Sequence, residues 1–92
     1  MQPSTQNDVN LFERTREVMT DLIAIRTHEL EEEHARAHPD AEHIAQLKQE
    51  IYRISNEELA LRTYDHAKVE RLCAEYRATT DAWRTKHLRT RD

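Results

Sequence analysis

The chain has 92 residues, a formal net charge of −4, one cysteine and no glycine, and 35% of its residues are charged. Phosphate-cradling loops and dinucleotide-binding turns depend on glycine, so the composition excludes them. The acidic net charge argues against general nucleic-acid binding, and no apolar run approaches the roughly 18 residues of a membrane span, so no membrane partner is expected.

Good helix formers dominate the composition, and no run of β-branched residues alternates with period two. The sequence therefore predicts an all-α protein. A chain of this length forms one domain and buries only a modest fraction of its surface. A thin helical domain of this kind often completes its core with a second copy of itself, so a homodimer is expected.

The first predicted helix spans about residues 8–37. Residues 1–7 are polar and contain an early proline, which predicts a disordered lead-in. Asn7 or Asp8 is expected to cap the helix. Apolar residues then recur at spacings of three, four and seven, which indicates one buried helical face, and this stripe fades after Leu30.

A turn is predicted at residues 38–40. Pro39 disfavours helical geometry at His38 and suits the first position of a new helix. Asp40 can serve as a cap or as a first-turn acid. Because so short a connection joins antiparallel neighbours, the sequence predicts an antiparallel helical hairpin.

The second predicted helix spans about residues 40–88. Its first half has apolar residues at coiled-coil spacing, namely Ile44, Leu47, Ile51 and Ile54. The regular spacing then changes, because Leu59 and Leu61 are only two residues apart and do not lie on the same face of a helix. This change leaves open whether one helix continues or two helices follow each other.

Both alternatives have local support. Ser55 and Glu58 fit a capping box, which favours a break near residues 55–57 and a three-helix bundle. Arg53 and Glu57 form an i,i+4 pair that bridges this point, and no glycine or proline forces a break. The balance slightly favours a bent or continuous helix, about 70 Å long if it is straight.

The apolar face of the second half is wide enough to meet two partner helices. Residues 8–88 are therefore expected to form a single helical domain that self-associates. The candidate interface residues are Leu59, Leu61, Tyr64, Val69, Leu72, Tyr76 and Trp83.

The expected function is that of a small non-catalytic interaction protein, such as an adaptor, chaperone or regulator, which binds a partner protein through an apolar helical face. An enzyme is not expected, because the sequence has no cleft-forming loop and no nucleophile–base pair, and no cofactor is predicted. The single Cys73 cannot form an internal disulfide, so a cytoplasmic setting is expected.

Two other functions compete with this one. His34 and His38 lie one helical turn apart and His43 follows the corner, so a metal-binding or metal- and pH-sensing protein is one alternative. The polar surroundings favour a solvated tip instead. The other alternative is a nucleic-acid-associated protein that uses the basic end after Trp83, although residues 89–92 are expected to fray.

Overall fold

A computed structural model describes residues 5–89, and these residues form α-helices joined by two short connections. The helices are α1 (Gln6–His34), α2 (Ala41–Ala60) and α3 (His66–Arg89). The all-α prediction is confirmed. Of the predicted lead-in and frayed tail, residues 1–4 and 90–92 lie outside the described residues.

The N-terminus of α1 is set by a different cap from the one predicted. Thr5, rather than Asn7 or Asp8, is the N-cap. Its hydroxyl accepts the Asp8 amide at 3.1 Å, and the Asp8 carboxylate accepts the Thr5 amide at 3.0 Å. This reciprocal capping box satisfies two amides that the helix itself leaves unpaired, so the helix begins at Gln6.

The connection between α1 and α2 covers residues 35–40 and is longer than the predicted turn at 38–40. The difference arises because α1 ends at His34, about three residues before the predicted end. Asp40 is the N-cap of α2, and its carboxylate accepts two backbone amides of the first turn at 3.0 and 3.2 Å. Pro39 therefore precedes the cap and does not occupy the first helical position.

The second half of the chain is broken at residues 61–65, not at the predicted residues 55–57. Residues 55–57 remain helical, and Arg53 and Glu57 bridge them at 3.0 Å. Leu61 is the C-cap of α2 with an extended backbone, and its side chain is only 2% exposed. The continuous helix is not formed, because Leu61 leaves the helix to bury its side chain.

α2 runs antiparallel to α1. Arg26 on α1 lies 3.0 Å from Glu50 on α2, and Arg16 lies 3.7 Å from Glu58. Residue numbers therefore increase along α2 in the direction in which they decrease along α1. This confirms the antiparallel hairpin.

α3 runs parallel to α1. His66 at the start of α3 lies 3.4 Å from Asp8, and Arg84 near its end lies 3.7 Å from Asp21. α1 packs against both other helices, whereas α2 and α3 approach each other less closely. The fold is thus a three-helix arrangement in which α1 is the central helix and packs against both of the others.

The core draws on all three helices and on the second connection. It consists of Met19, Leu22, Ile54, Leu61, Val69, Leu72 and Tyr76. The molecule around it is flat, with principal extents of 55 × 30 × 14 Å and a radius of gyration of 15.7 Å. A compact domain of this length would have a radius of gyration of about 12 Å, so the chain has more surface than a compact monomer needs.

Replacing Leu61 by Ala should lower the free energy of unfolding by about 2–5 kcal/mol, because a buried leucine is truncated where α2 ends. Leu59 is the matched control, since it lies two residues away and is 76% exposed. Leu59→Ala should change the free energy by no more than about 0.5 kcal/mol. Urea unfolding at low protein concentration measures both, and equal losses would contradict the assignment of Leu61 to the core.

Candidate interaction surface

The structure divides the predicted interface residues into two groups. Leu61, Val69, Leu72 and Tyr76 are 2–5% exposed and form part of the chain's own core. These four side chains are therefore not accessible to a partner in the folded monomer. The apolar face is wide because it contacts α1 and the connection, so its width does not by itself indicate a second chain.

The other predicted residues remain at the surface. Leu59 is 76% exposed and Tyr64 is 61% exposed, and Trp83 is half-buried. Tyr52, which the sequence reasoning missed, is 72% exposed. It could have been found as a large aromatic residue that falls outside the apolar spacing of its own helix, formed by Ile44, Leu47, Ile51 and Ile54.

Tyr52 and Leu59 lie on one side of α2. They are seven residues apart, so they are two turns and about 10.5 Å apart along the helix axis. Ser55, which is half-buried, and the exposed Asn56 lie between them. We call Tyr52, Ser55, Asn56 and Leu59 the outer stripe of α2. It carries no charge, and it faces away from the side of α2 that contacts α1.

A shallow groove of about 610 Å³ borders this stripe. It is lined by Lys48, Gln49, Tyr52, Arg53, Asn56 and Glu57. Although most of these residues are polar, the lining is mainly nonpolar, because the aliphatic stems of lysine and arginine cover apolar surface while their charged ends reach water. The outer stripe carries the two most exposed large apolar side chains of the described surface, and the groove with its mainly nonpolar lining lies beside them.

Trp83 occupies a second, more polar cleft between α1 and α3. The indole stacks on the His87 ring with 3.9 Å between ring centroids, and His87 Nδ1 lies 2.9 Å from the Trp83 carbonyl oxygen. Of the bases that follow Trp83, Arg84 is paired with Asp21 and Asp81. Arg91 lies outside the described residues, so the predicted basic end is only partly described.

The histidine cluster at the corner is not assembled as a site. His43 Nδ1 lies 2.8 Å from Glu33 Oε1, while His34 and His38 are exposed. Across residues 5–89, no three His, Cys, Asp or Glu side chains come together in a group that could hold a metal ion. The structure therefore does not bring the three predicted ligands together, and it assigns His43 a structural contact.

Glu33 is the residue around which the corner is built, and the sequence reasoning did not identify it. Its side chain is 4% exposed, accepts the Asp40 amide at 3.1 Å and lies 3.3 Å from the Arg36 guanidinium. The hydrogen bond with His43, followed by the bond from the Asp40 amide, holds the pKa of Glu33 below its ordinary value. A buried carboxylate with three partners stabilises the end of α1 against the start of α2.

Tyr76 joins α2 to α3. Its hydroxyl donates to Glu57 at 2.8 Å, and the Arg53 guanidinium lies 3.4 Å from the same hydroxyl. Burial of the phenol, assisted by the bond to Glu57, raises the pKa of Tyr76 to about 12. The hydrogen bonds of the Tyr76 hydroxyl with Glu57 and Arg53 are thus part of the fold, and they hold α2 against α3.

Comparison with known proteins adds no assignment, because no family model, no curated protein and no solved structure matches this chain. None of the helices in the described part is both long enough and apolar enough to cross a membrane. The proposed function therefore depends on the surface of the molecule.

Glu33→Gln should lower the free energy of unfolding at neutral pH and flatten its dependence on acid. The pKa of Glu33 is depressed in the folded state. Its stabilising contribution is therefore fully present above the unfolded value of about 4.3 and is lost as the pH falls through the folded value. Denaturant unfolding between neutral pH and strong acid measures this, with the exposed Glu31→Gln as control. Parallel pH profiles for the two variants would remove Glu33 from its role at the corner.

Tyr76→Phe should remove a loss of stability at alkaline pH. The pKa of Tyr76 is raised to about 12, whereas an unfolded tyrosine titrates near 10, so the wild-type free energy of unfolding falls as the pH rises between these values. The variant should also lose about 0.5–1.5 kcal/mol at neutral pH through the missing hydrogen bond. Unfolding measured across the alkaline range tests this, with the exposed Tyr52→Phe as control. An alkaline loss that persists in Tyr76→Phe would contradict it.

Proposed function

We propose that this chain is a small non-catalytic interaction protein, of the adaptor, chaperone or regulator kind, which forms a homodimer and binds a partner protein through an exposed helical face. The observation that carries the proposal is the outer stripe of α2. There, Tyr52 and Leu59 are 72% and 76% exposed on one side of a helix whose other side is already filled.

Tyr52 and Leu59 would contribute free energy to binding through their burial. Complete burial of a large apolar side chain is worth about 1.5–3 kcal/mol relative to leaving it exposed. Tyrosine is enriched among the residues that dominate binding energy, because it combines a large ring with a hydroxyl that can remain hydrated. A two-fold contact would use each side chain twice, so a short stripe can contribute substantially to association.

The surface area of the whole chain supports the same proposal. The molecule exposes 6894 Å². A compact monomer of 11.0 kDa is expected to expose about 5,600 Å², so the excess is about 1,300 Å². A stable protein–protein interface buries about 800 Å² on each partner. The flat shape therefore leaves enough additional surface for one such interface.

The non-catalytic part of the proposal is supported by the roles of the strongly held polar groups. Glu33 holds the corner between α1 and α2, and Tyr76 with Glu57 clasps α2 to α3. Each of these groups is accounted for by the fold. We place the protein in the cytoplasm, since Cys73 is free and buried, as a structural thiol in a reducing compartment would be.

The homodimer is assigned to a different surface from the one predicted. Four of the seven candidate residues fill the chain's own core, so they cannot form the seam between two chains. Leu59 is retained in the proposed interface, and Tyr52 is added to it, because both side chains are exposed. A partner protein with an amphipathic helix would compete with the second copy for this face, since such a helix offers apolar side chains at matching spacing.

Leu59→Glu should convert the dimer to a monomer while leaving the helical content unchanged. The glutamate places a charge in the contact but disturbs no packing within the monomer, because Leu59 is 76% exposed. Ala24→Glu is the control, since Ala24 is exposed on α1 and the change adds the same charge. Light scattering after size-exclusion chromatography gives the mass, and circular dichroism gives the helical content.

The proposal predicts a dimer mass for the wild type and for Ala24→Glu, and a monomer mass for Leu59→Glu. If the wild type is monomeric at all accessible concentrations, self-association is wrong. If Leu59→Glu retains the dimer mass, the chain self-associates through another surface.

A further inference from the structure

We infer that the occupant of the outer stripe is a second copy of α2 lying antiparallel across it, with the two-fold axis passing between Ser55 and Asn56. This inference rests on the proposed function and specifies its geometry. It identifies the partner of the stripe as the same stripe on another molecule.

The centre of the stripe is suited to a two-fold axis. In a two-fold interface, residues near the axis face their own copies, so they must be self-complementary. Ser55 and Asn56 meet this requirement, because a hydroxyl and a primary amide each carry both a donor and an acceptor. A charged residue at this position would instead oppose a like charge.

The apolar residues are arranged symmetrically about the same point. Tyr52 precedes the midpoint of Ser55 and Asn56 by as many residues as Leu59 follows it. In the antiparallel arrangement, Tyr52 of each molecule therefore packs against Leu59 of the other. The contact is made twice, and it buries the two most exposed large apolar side chains of the described surface.

The charge next to the stripe favours the antiparallel arrangement over the parallel one. Lys48 is exposed one turn before Tyr52 on the same side of α2. A parallel pair would place Lys48 opposite its own copy. The antiparallel pair separates the two ammonium-bearing positions by about 22 Å along the helix axis, which is well beyond the Debye length of about 8 Å at physiological salt.

Tyr64 is a further exposed large apolar side chain, and it follows the end of α2 in sequence. It lies in the second connection, past Leu59, and is 61% exposed. In the antiparallel arrangement this end of one molecule approaches the Lys48 turn of the other, where an aromatic ring can lie against an ammonium group.

Cysteine cross-linking in the full-length chain tests the arrangement. Asn56→Cys and Lys48→Cys are each made in a Cys73→Ala background, whose helical content and mass are checked first. With a mild oxidant such as diamide, Asn56→Cys should form a covalent dimer in high yield, since near the axis two copies come within the reach of a disulfide. Lys48→Cys should remain almost uncrosslinked, because its two copies lie far apart.

The outcomes distinguish this inference from the proposed function. Cross-linking of Asn56→Cys alone supports the antiparallel contact. Cross-linking of both variants, or of Lys48→Cys alone, overturns the antiparallel arrangement while the dimer itself stands. A dimer mass with no cross-linking in either variant shows that another surface is used and overturns the inference. A monomeric wild type removes the proposed self-association as well.

Discussion

Met19 and Leu22 lie close to one turn apart on α1, at 0% and 1% exposure, in one cluster with Ile54 of α2 and Leu72 of α3. Burial of such side chains is worth about 1.5–3 kcal/mol each. Since α1 is the helix that packs closely against both of the others, these two residues couple α2 to α3 through it. The rest of the structure depends on this shared face, and a chain built around one central helix spreads into a flat layer.

Polar contacts then determine where the elements begin and end. Glu33 accepts the Asp40 amide at the corner between α1 and α2. Asp8 completes the Thr5 capping box of α1 and lies near His66 at the start of α3. The Tyr76 hydroxyl of α3 donates to Glu57 of α2. The pKa shifts of Glu33 and Tyr76 follow from these contacts, with hydrogen bonds favouring the ionised carboxylate and burial favouring the neutral phenol. The carboxylate of Glu33 and the hydroxyl of Tyr76 thus help to hold the three helices in place.

Once the core and its polar contacts are accounted for, the outer stripe of α2 remains. A shared central helix explains why it is exposed, because each outer helix has only one side covered by the chain. Two exposed large apolar side chains that flank a self-complementary serine and asparagine form a surface that a second copy can match. The histidines of the corner and the indole of Trp83 have no comparable arrangement, so the functional proposal rests on α2.

The sequence by itself determined that the chain is all-α, that a corner at Pro39 and Asp40 makes α2 antiparallel to α1, and that apolar residues after residue 58 cover more than one helical face. Helical periodicity and capping chemistry are local, so they can be read without a structure. Only the tertiary structure decided that the chain breaks at Leu61, that Glu33 is buried, and that Leu61 is covered while Leu59 is exposed. The physical reason is that these two leucines are equally apolar and two residues apart. Their burial is decided by α1, whose contacts are distant in sequence and cannot be read from a local pattern.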